Sequence, residues 1–311
     1  MSMPYLTPAI RLRSTPFSRR VIAAGAKAYT VYNHMLLASF FRSVEEDYAH
    51  LKRAGQVWDV SCERQVEIVG KGPGERRRIE PVAITMRTPG DDFELVAGFL
   101  HGEGIVGTAG DVQELTYCRG DEAQEYNIVE ARLRPGVPFD ADAMRRNVFT
   151  SSSCGICGKA SIEAVQATGC SMLADGFEVP GALLADLPDR LMEGQGVFAR
   201  TGGLHAAGLF RADGSLDVLH EDVGRHNAVD KVLGHSLLAR TLPAQERVLV
   251  VSGRASFEII QKALMARVPI LVAVGAPSSL AVDLASQFRQ TLVGFARNGG
   301  FNVYCGAERV I

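Results

Sequence analysis

The feature that most constrains this chain is a series of short apolar segments alternating with helical patterns between residues 204 and 295. Val248-Leu249-Val250-Val251 and Ile270-Leu271-Val272-Ala273-Val274 are too uniformly apolar for half-exposed strands. Each leads into a helical pattern, over 256–267 and 278–289, and another strand follows over 292–295. Such alternation predicts an α/β core with a mostly parallel sheet covered on both faces. Ahead of it, segments 204–211 and 216–219 flank Asp213-Gly214, a hairpin turn signal, and 222–239 reads as a helix. Further upstream, a strand over 82–86, a helix over 91–103 and an alternating strand over 126–133 make a smaller flanking α+β unit. Pro135-Gly136-Val137-Pro138 breaks the chain after it.

The start of the chain reads differently. Residues 42–52 form an exposed helical pattern of mixed charge, and Glu63-Arg64-Gln65-Val66-Glu67-Ile68-Val69 alternates like a strand. Tyr32-Asn33-His34-Met35, Glu45-Glu46-Asp47-Tyr48, Trp58-Asp59-Val60 and Arg64-Gln65-Val66-Glu67-Ile68 resemble the start of aminomethyltransferase-like enzymes, the glycine-cleavage T-protein group. The resemblance stops near Gly70, where a junction-like stretch begins, so no folate chemistry is expected. The expected organisation is an atypical extension over 1–70, a small α+β domain over 71–150 and the α/β core over 151–311.

Charge and cysteine usage exclude several classes. Lys and Arg number 33 against 35 Asp and Glu, a net charge of −2, so no overall basic field holds nucleic acid or an anionic membrane. The apolar stretch over 21–41 contains Lys27, Asn33 and His34, which a membrane span disfavours, and residues 1–20 lack the apolar core of an export signal. Six unevenly spaced cysteines with one close pair fit a reducing, cytoplasmic setting better than a disulfide scaffold.

That pair lies in Ser153-Cys154-Gly155-Ile156-Cys157-Gly158-Lys159, just before a helical pattern over 160–168. A thiol at a helix start meets unpaired N–H groups and the positive end of the dipole, which lower its pKa from about 8.5 into the range of about 3.5–7.5. Three chemistries use such a pair: dithiol redox exchange, zinc binding, and carriage of sulfur as a persulfide. A structural zinc site needs four ligands, and Cys62, Cys118, Cys170 and Cys305 are scattered singly. The residues themselves leave redox and sulfur carriage open.

His220-Glu221-Asp222-Val223-Gly224-Arg225-His226-Asn227 is a second polar cluster, read as a helix start with Asp222 and His226 on one face. There His226 is suited to acid–base work, or to holding an anion together with Arg225. His205 adds a histidine on a strand. Three loops then leave strand ends: Ser252-Gly253-Arg254-Ala255-Ser256, Gly275-Ala276-Pro277-Ser278 and Phe295-Ala296-Arg297-Asn298-Gly299-Gly300. Small residues with free N–H groups at the carboxyl ends of strands suit nucleotide phosphates, and Arg254 supplies a charged fork. No loop has the phosphate-binding pattern of ATP hydrolases.

Taken together these motifs resemble the FdhD family, the sulfurtransferase accessory proteins of formate dehydrogenase. The resemblance runs from about residue 81 to 311. It rests on Met86-Arg87-Thr88-Pro89-Gly90-Asp91-Asp92, Gly98-Phe99-Leu100, Ser153-Cys154-Gly155-Ile156-Cys157-Gly158, Gly202-Gly203-Leu204-His205-Ala206-Ala207, Glu221-Asp222-Val223-Gly224-Arg225-His226-Asn227 and Ser252-Gly253-Arg254-Ala255-Ser256. It implies a three-layer, cytidine-deaminase-like core, usually dimeric. It implies a protein that takes sulfur from a cysteine desulfurase as a persulfide on Cys154, with Cys157 assisting. The sulfur passes to the molybdenum bis(molybdopterin guanine dinucleotide) cofactor, held as a bound substrate, before that cofactor enters formate dehydrogenase; no resident metal is implied. Phe295 to Gly300 would contact that cofactor, with Ser252, Gly253, Arg254, Ser256, His226 and Asp222 lining the site. A dithiol redox or zinc protein and a non-catalytic cofactor chaperone are the alternatives. Two departures stand out: the strand that usually precedes the Met86 motif must come from 66–69 or be absent, and Gly300 replaces a common basic residue.

Overall fold

A computed structural model describes residues 28–32, 35–40, 63–70, 78–117, 128–139 and 169–311, with side chains from residue 81 onward. The chain divides into two compact units, Met1–Asp59 with Ala199–Gly203, and Val60–Phe198 with Leu204–Ile311. Within the first, β1 (Ala28–Tyr32) and β2 (Met35–Phe40) pair antiparallel, with Tyr32 opposite Met35. The helix expected over 42–52, Trp58 and the helix expected over 160–168 lie outside the described residues.

The second unit contains two sheets. The smaller has the order β4-β3-β6-β5, built from β3 (Glu63–Gly70), β4 (Arg78–Met86), β5 (Val112–Tyr117) and β6 (Ile128–Leu133). Val66 of β3 stands opposite Ala83 of β4 and Val129 of β6. Residues 63–70 therefore supply an inner strand of this sheet, the strand sought ahead of the Met86 motif, instead of standing apart in an N-terminal segment. Helix α1 (Asp92–Gly102) covers the sheet, burying Val96, Ala97 and Leu100 against Val82, Val129, Ala131 and Leu133.

The larger sheet has the order β12-β11-β10-β9-β7-β8. Its strands are β7 (His205–Phe210), β8 (Leu216–Asp222), β9 (Val248–Val251), β10 (Ile270–Ala273), β11 (Thr291–Arg297) and β12 (Gly300–Cys305). The helices are α2 (Gly181–Glu193), α3 (Arg225–Leu238), α4 (Phe257–Met265) and α5 (Ser279–Gln287). The expectation of a mostly parallel sheet needs correction. Only β9, β10 and β11 run parallel to one another, whereas β7 joins β9, β8 joins β7 and β12 joins β11 antiparallel. The physical reason lies in the connections: a tight hairpin turn joins antiparallel strands only, and β7–β8 and β11–β12 are both hairpins.

Alternate strand residues feed two apolar layers. Leu249, Val251, Leu271 and Ala273 pack with Val229, Val232, Ile260 and Leu284 from α3, α4 and α5. Val248, Val250, Ile270 and Val272 pack with Leu184, Leu187 and Leu191 from α2. Every residue of β9 and β10 is buried, because helices cover both faces. No helix among the described residues is long and apolar enough to cross a membrane.

Candidate functional site

The strand ends form a stitched edge. Beyond β10, Gly275 N–H donates to the Gly253 carbonyl beyond β9 (2.9 Å), and Phe295 N–H of β11 donates to the Gly275 carbonyl (3.1 Å). Ser278 N–H bonds the Ala255 carbonyl at 3.0 Å. The turns at 252–256 and 274–278, together with Phe295, thus lie side by side. Gly275 is needed for this: a Cβ there would sit 2.9 Å from Arg254 Cγ and 3.0 Å from the Gly253 carbonyl oxygen. Because β7 runs opposite to β9, its first residue reaches the same edge. Ala206 N–H donates to Ser252 Oγ at 2.8 Å, so Ser252 serves as an internal strut.

His205 pairs across the sheet with Asp222, the last residue of β8. This corrects one expectation: Asp222 ends a strand, so it shares no helix face with His226, and the N-cap of α3 is Gly224. Asp222 is fully buried. Its carboxylate accepts from Thr88 N–H (3.0 Å), Gly224 N–H (2.9 Å) and Asn227 Nδ2 (3.0 Å), and pairs with Lys231 Nζ at 2.9 Å. Lys231 Nζ also donates to the Thr88 carbonyl, Val223 N–H donates to Thr88 Oγ1, and Asn227 Nδ2 donates to the Met86 carbonyl. The Met86–Asp92 motif and the polar cluster at the start of α3 are therefore two halves of one buried tether. Lys231 and the tethering role of Asp222 escaped sequence reasoning; an isolated lysine inside a helical pattern carries no signal of its partner.

Above this tether the first turn of α3 presents Arg225 and His226. A Cβ on Gly253 would lie 3.3 Å from Arg225 Cδ and 3.4 Å from His205 Nδ1, which places both side chains over the turn after β9. Burial, then the neighbouring Arg254 guanidinium, lower the Arg225 pKa from its ordinary value, with Glu258 opposing. Arg225 Nε has no hydrogen-bond partner among the described residues. His226 Nε2 meets Ser256 Oγ at 2.8 Å and stands 3.8 Å from Glu258. Burial, with Arg225, Lys262 and His205 adding repulsion, pushes the His226 pKa down to about 3. Burial followed by Arg225 also lowers His205. Both rings are neutral at pH 7, and the guanidinium groups carry the positive charge of this edge. Since Ser256 engages His226, it makes no side-chain cap on α4, whose first N–H groups face the same edge.

The third loop of the sequence reading proves to be strand. Phe295, Ala296 and Arg297 complete β11, Asn298 and Gly299 make the turn with φ of 52° and 73°, and Gly300 opens β12. Two consecutive positive φ values are the mark of a type I′ hairpin turn. The structure thus brings together His205, Arg225, His226, Ser252, Gly253, Arg254, Ser256 and the Phe295 hairpin, with Asp222 beneath them; Cys154 and Cys157 lie outside the described residues. A cavity of about 510 Å³ lies elsewhere, lined by His101, Thr108, Leu237, Arg240, Pro243 and Met265 among others, and shares no residue with this edge.

Fold and edge define an α/β protein whose mixed sheet presents backbone N–H groups and two guanidinium groups along one line of strand ends. Residues 61–311 match the model of the FdhD/NarQ family, and the chain belongs to that family. The sulfur carrier protein FdhD of Streptomyces coelicolor is 56% identical over 236 residues, covering 74% of this chain and 84% of that protein. The sulfur carrier protein FdhD of Sulfurisphaera tokodaii is 44% identical over 229 residues, covering 74% and 84%. A crystal structure from Desulfotalea psychrophila, assigned as a formate dehydrogenase accessory protein, superposes with a TM-score of 0.58 at 25% identity. It covers 80% of this chain and 100% of its own.

Proposed function

We infer that this chain is a sulfur carrier that supports formate dehydrogenase. The reading is that Cys154 takes sulfur from a cysteine desulfurase and passes it to a molybdenum bis(molybdopterin guanine dinucleotide) substrate lying along the strand-end edge. The observation that carries it is the guanidinium pair Arg225 and Arg254 above the stitched turns, within a chain of the FdhD/NarQ family. Fixed N–H groups and positive charge at strand ends suit diphosphates. The three-layer, cytidine-deaminase-like description of the core is part of this reading, supported by the helices on both sheet faces.

In the first step the Cys154 thiolate attacks the outer sulfur of the donor persulfide; the donor S–S bond breaks and the donor leaves as a thiolate. Cys154 then carries the persulfide. Attack by the Cys157 thiol on Cys154 Sγ releases the terminal sulfur as hydrosulfide and leaves a Cys154–Cys157 disulfide, with Cys157 giving up one proton. Both electrons that reduce the sulfur come from the two cysteines, and an external thiol regenerates the pair.

The test is to incubate the full chain with a cysteine desulfurase and free cysteine, then to record its intact mass. A gain equal to one sulfur atom, lost in Cys154→Ala, supports the reading. Stoichiometric zinc without that gain, or unimpaired activation of formate dehydrogenase by Cys154→Ala, overturns it.

A further inference from the structure

Helices α3 and α4 begin at the stitched edge and end beside the cavity of about 510 Å³. The nine residues of α4 alone span about 14 Å between the two places. Both helices end in the same way. The residue after the helix end takes the left-handed conformation, where glycine is usual. Here that residue is an arginine: Arg240 after α3, with φ 60°, and Arg267 after α4, with φ 62°. Both line the cavity. A cation after a helix end is favourable in itself, because the last carbonyls are partly negative. Arg289, with φ 58° after α5, fits that role, and the Asp175 carboxylate meets it at 3.5 Å. Arg240 and Arg267 differ from it, since neither has a carboxylate partner among the described residues. Arg267 donates to the Ser171 and Met172 carbonyls at 2.7 and 2.9 Å, which holds its guanidinium in place without neutralising it. No acid lines the cavity, and Leu237, Leu242, Pro243 and Met265 give it an apolar side. The loop from Gly107 to Gly110 completes the wall. Asp111 fixes that loop by accepting Gly107 N–H and Thr108 N–H at 2.8 Å each. The walls are therefore in place before any ligand arrives, which lowers the ordering cost of binding. The volume lies within the range of small-molecule sites.

We propose that this cavity is a ligand site in its own right, for an organic anion with an apolar tail. The tail lies against Leu237, Leu242, Pro243 and Met265, and the anionic head meets Arg240 and Arg267. Two guanidinium groups without acids call for an anion. The apolar side adds a demand that a bare inorganic anion does not meet. The proposal is independent of the sulfur-carrier reading, because no residue of the cavity belongs to the strand-end edge.

The test uses the full chain with decanoate and with decyltrimethylammonium, which has the same tail and the opposite charge. Binding is measured by titration calorimetry below the micelle concentration of either probe. Decanoate should saturate one site, and the cation should bind about ten-fold more weakly or not at all. Arg240 is exposed, and Arg240→Gln removes its charge while leaving a non-glycine residue at the left-handed position. It should weaken decanoate about ten-fold. Ala109→Trp should fill the cavity from its half-buried loop position and abolish saturable binding. Thermal unfolding of each variant establishes that it is folded. Absence of saturable decanoate binding in the wild type overturns the proposal, as does equal affinity for the two probes. A lower thermal midpoint in Arg240→Gln with unchanged decanoate affinity also overturns it, since the arginine would then serve only the helix end. Unchanged binding in a folded Ala109→Trp places the ligand elsewhere and overturns the site.

Discussion

Gly98 of α1 and Gly234 of α3 lie at a crossing so close that neither position has room for a side chain. A Cβ on Gly98 would sit 1.8 Å from the Asp230 carbonyl oxygen, and one on Gly234 would sit 1.8 Å from that of Glu94. The crossing ties the smaller sheet, through α1, to the helix whose first turn carries Arg225 and His226.

The crossing gives a prediction with a clear sign. Helix propensity alone would make Gly→Ala favourable by about 1 kcal/mol in either helix. The contact forbids it, since backbone must move to admit the methyl group, and overpacking costs about 1–3 kcal/mol or more. Gly98→Ala and Gly234→Ala should therefore both lower the urea midpoint with little change in slope. A stabilised alanine variant would show that the helices are not in backbone contact.

The Asp222–Lys231 pair should behave as a buried pair whose halves cannot be removed singly. Both residues are almost wholly buried, and they meet at 2.9 Å. Asp222→Asn or Lys231→Met alone should cost about 3–5 kcal/mol, because each leaves a buried group without its partner. The double variant should recover much of that loss in a denaturant double-mutant cycle. Additive losses would mean that the two residues contribute independently.

The guanidinium pair should make ligand binding salt-dependent. Arg225→Gln and Arg254→Gln should each weaken GDP by about 1.5–3 kcal/mol, the range for hydrogen bonds to charged groups. Each should also reduce the dependence of affinity on salt concentration, measured by titration between low and high salt. An affinity indifferent to both substitutions would move the anion site away from this edge.

His226 should give the protein an acid-sensitive component. Its folded-state pKa of about 3 lies below the ordinary 6.5, so the unfolded chain binds the proton more readily. The sign follows: the contribution is complete above pH 6.5 and is lost as pH falls toward 3. Arg225 on the same helix, and Lys262 and His205 from neighbouring elements, oppose the imidazolium, while Ser256 and Glu258 lie against the ring. The ring is about one-third exposed, so solvent reduces the effect. Asp230 works in the opposite direction: burial outweighs the pull of Lys262 and raises its pKa to about 6. The proper comparison is therefore wild type against His226→Gln, by denaturant unfolding from pH 7 down to about 4. The wild type should lose more stability over that interval, and parallel curves would contradict the assignment.

What could be read from the sequence follows from burial. The strands Val248–Val251 and Ile270–Ala273 are uninterrupted apolar runs because helices cover both faces, and such runs stand out. Asp222 was harder. Acids before a helix suggest a helix start, yet β8 continues through His220, Glu221 and Asp222 because each has a cross-strand partner in β7. Helix α2 went unread, although Leu184, Leu187 and Leu191 recur at helical spacing. In β12, Gly300–Cys305, exposed and apolar positions do not alternate, so no period of two announces it. The Asn298-Gly299 turn was the available signal. The positive φ of Phe295 has no sequence mark, since glycine or asparagine is the residue expected there.

The reversed direction of β7 has a kinetic corollary. His205 begins one strand, Asp222 ends the next, and Gly253, Gly275 and Phe295 come from successive crossovers. The edge is thus complete only when all of these stretches have found their register, and pairings between residues distant in sequence form slowly. A half-folded intermediate would have nothing with which to grip a nucleotide, so a bound ligand should shield the whole sheet from amide exchange, not merely the turns it touches.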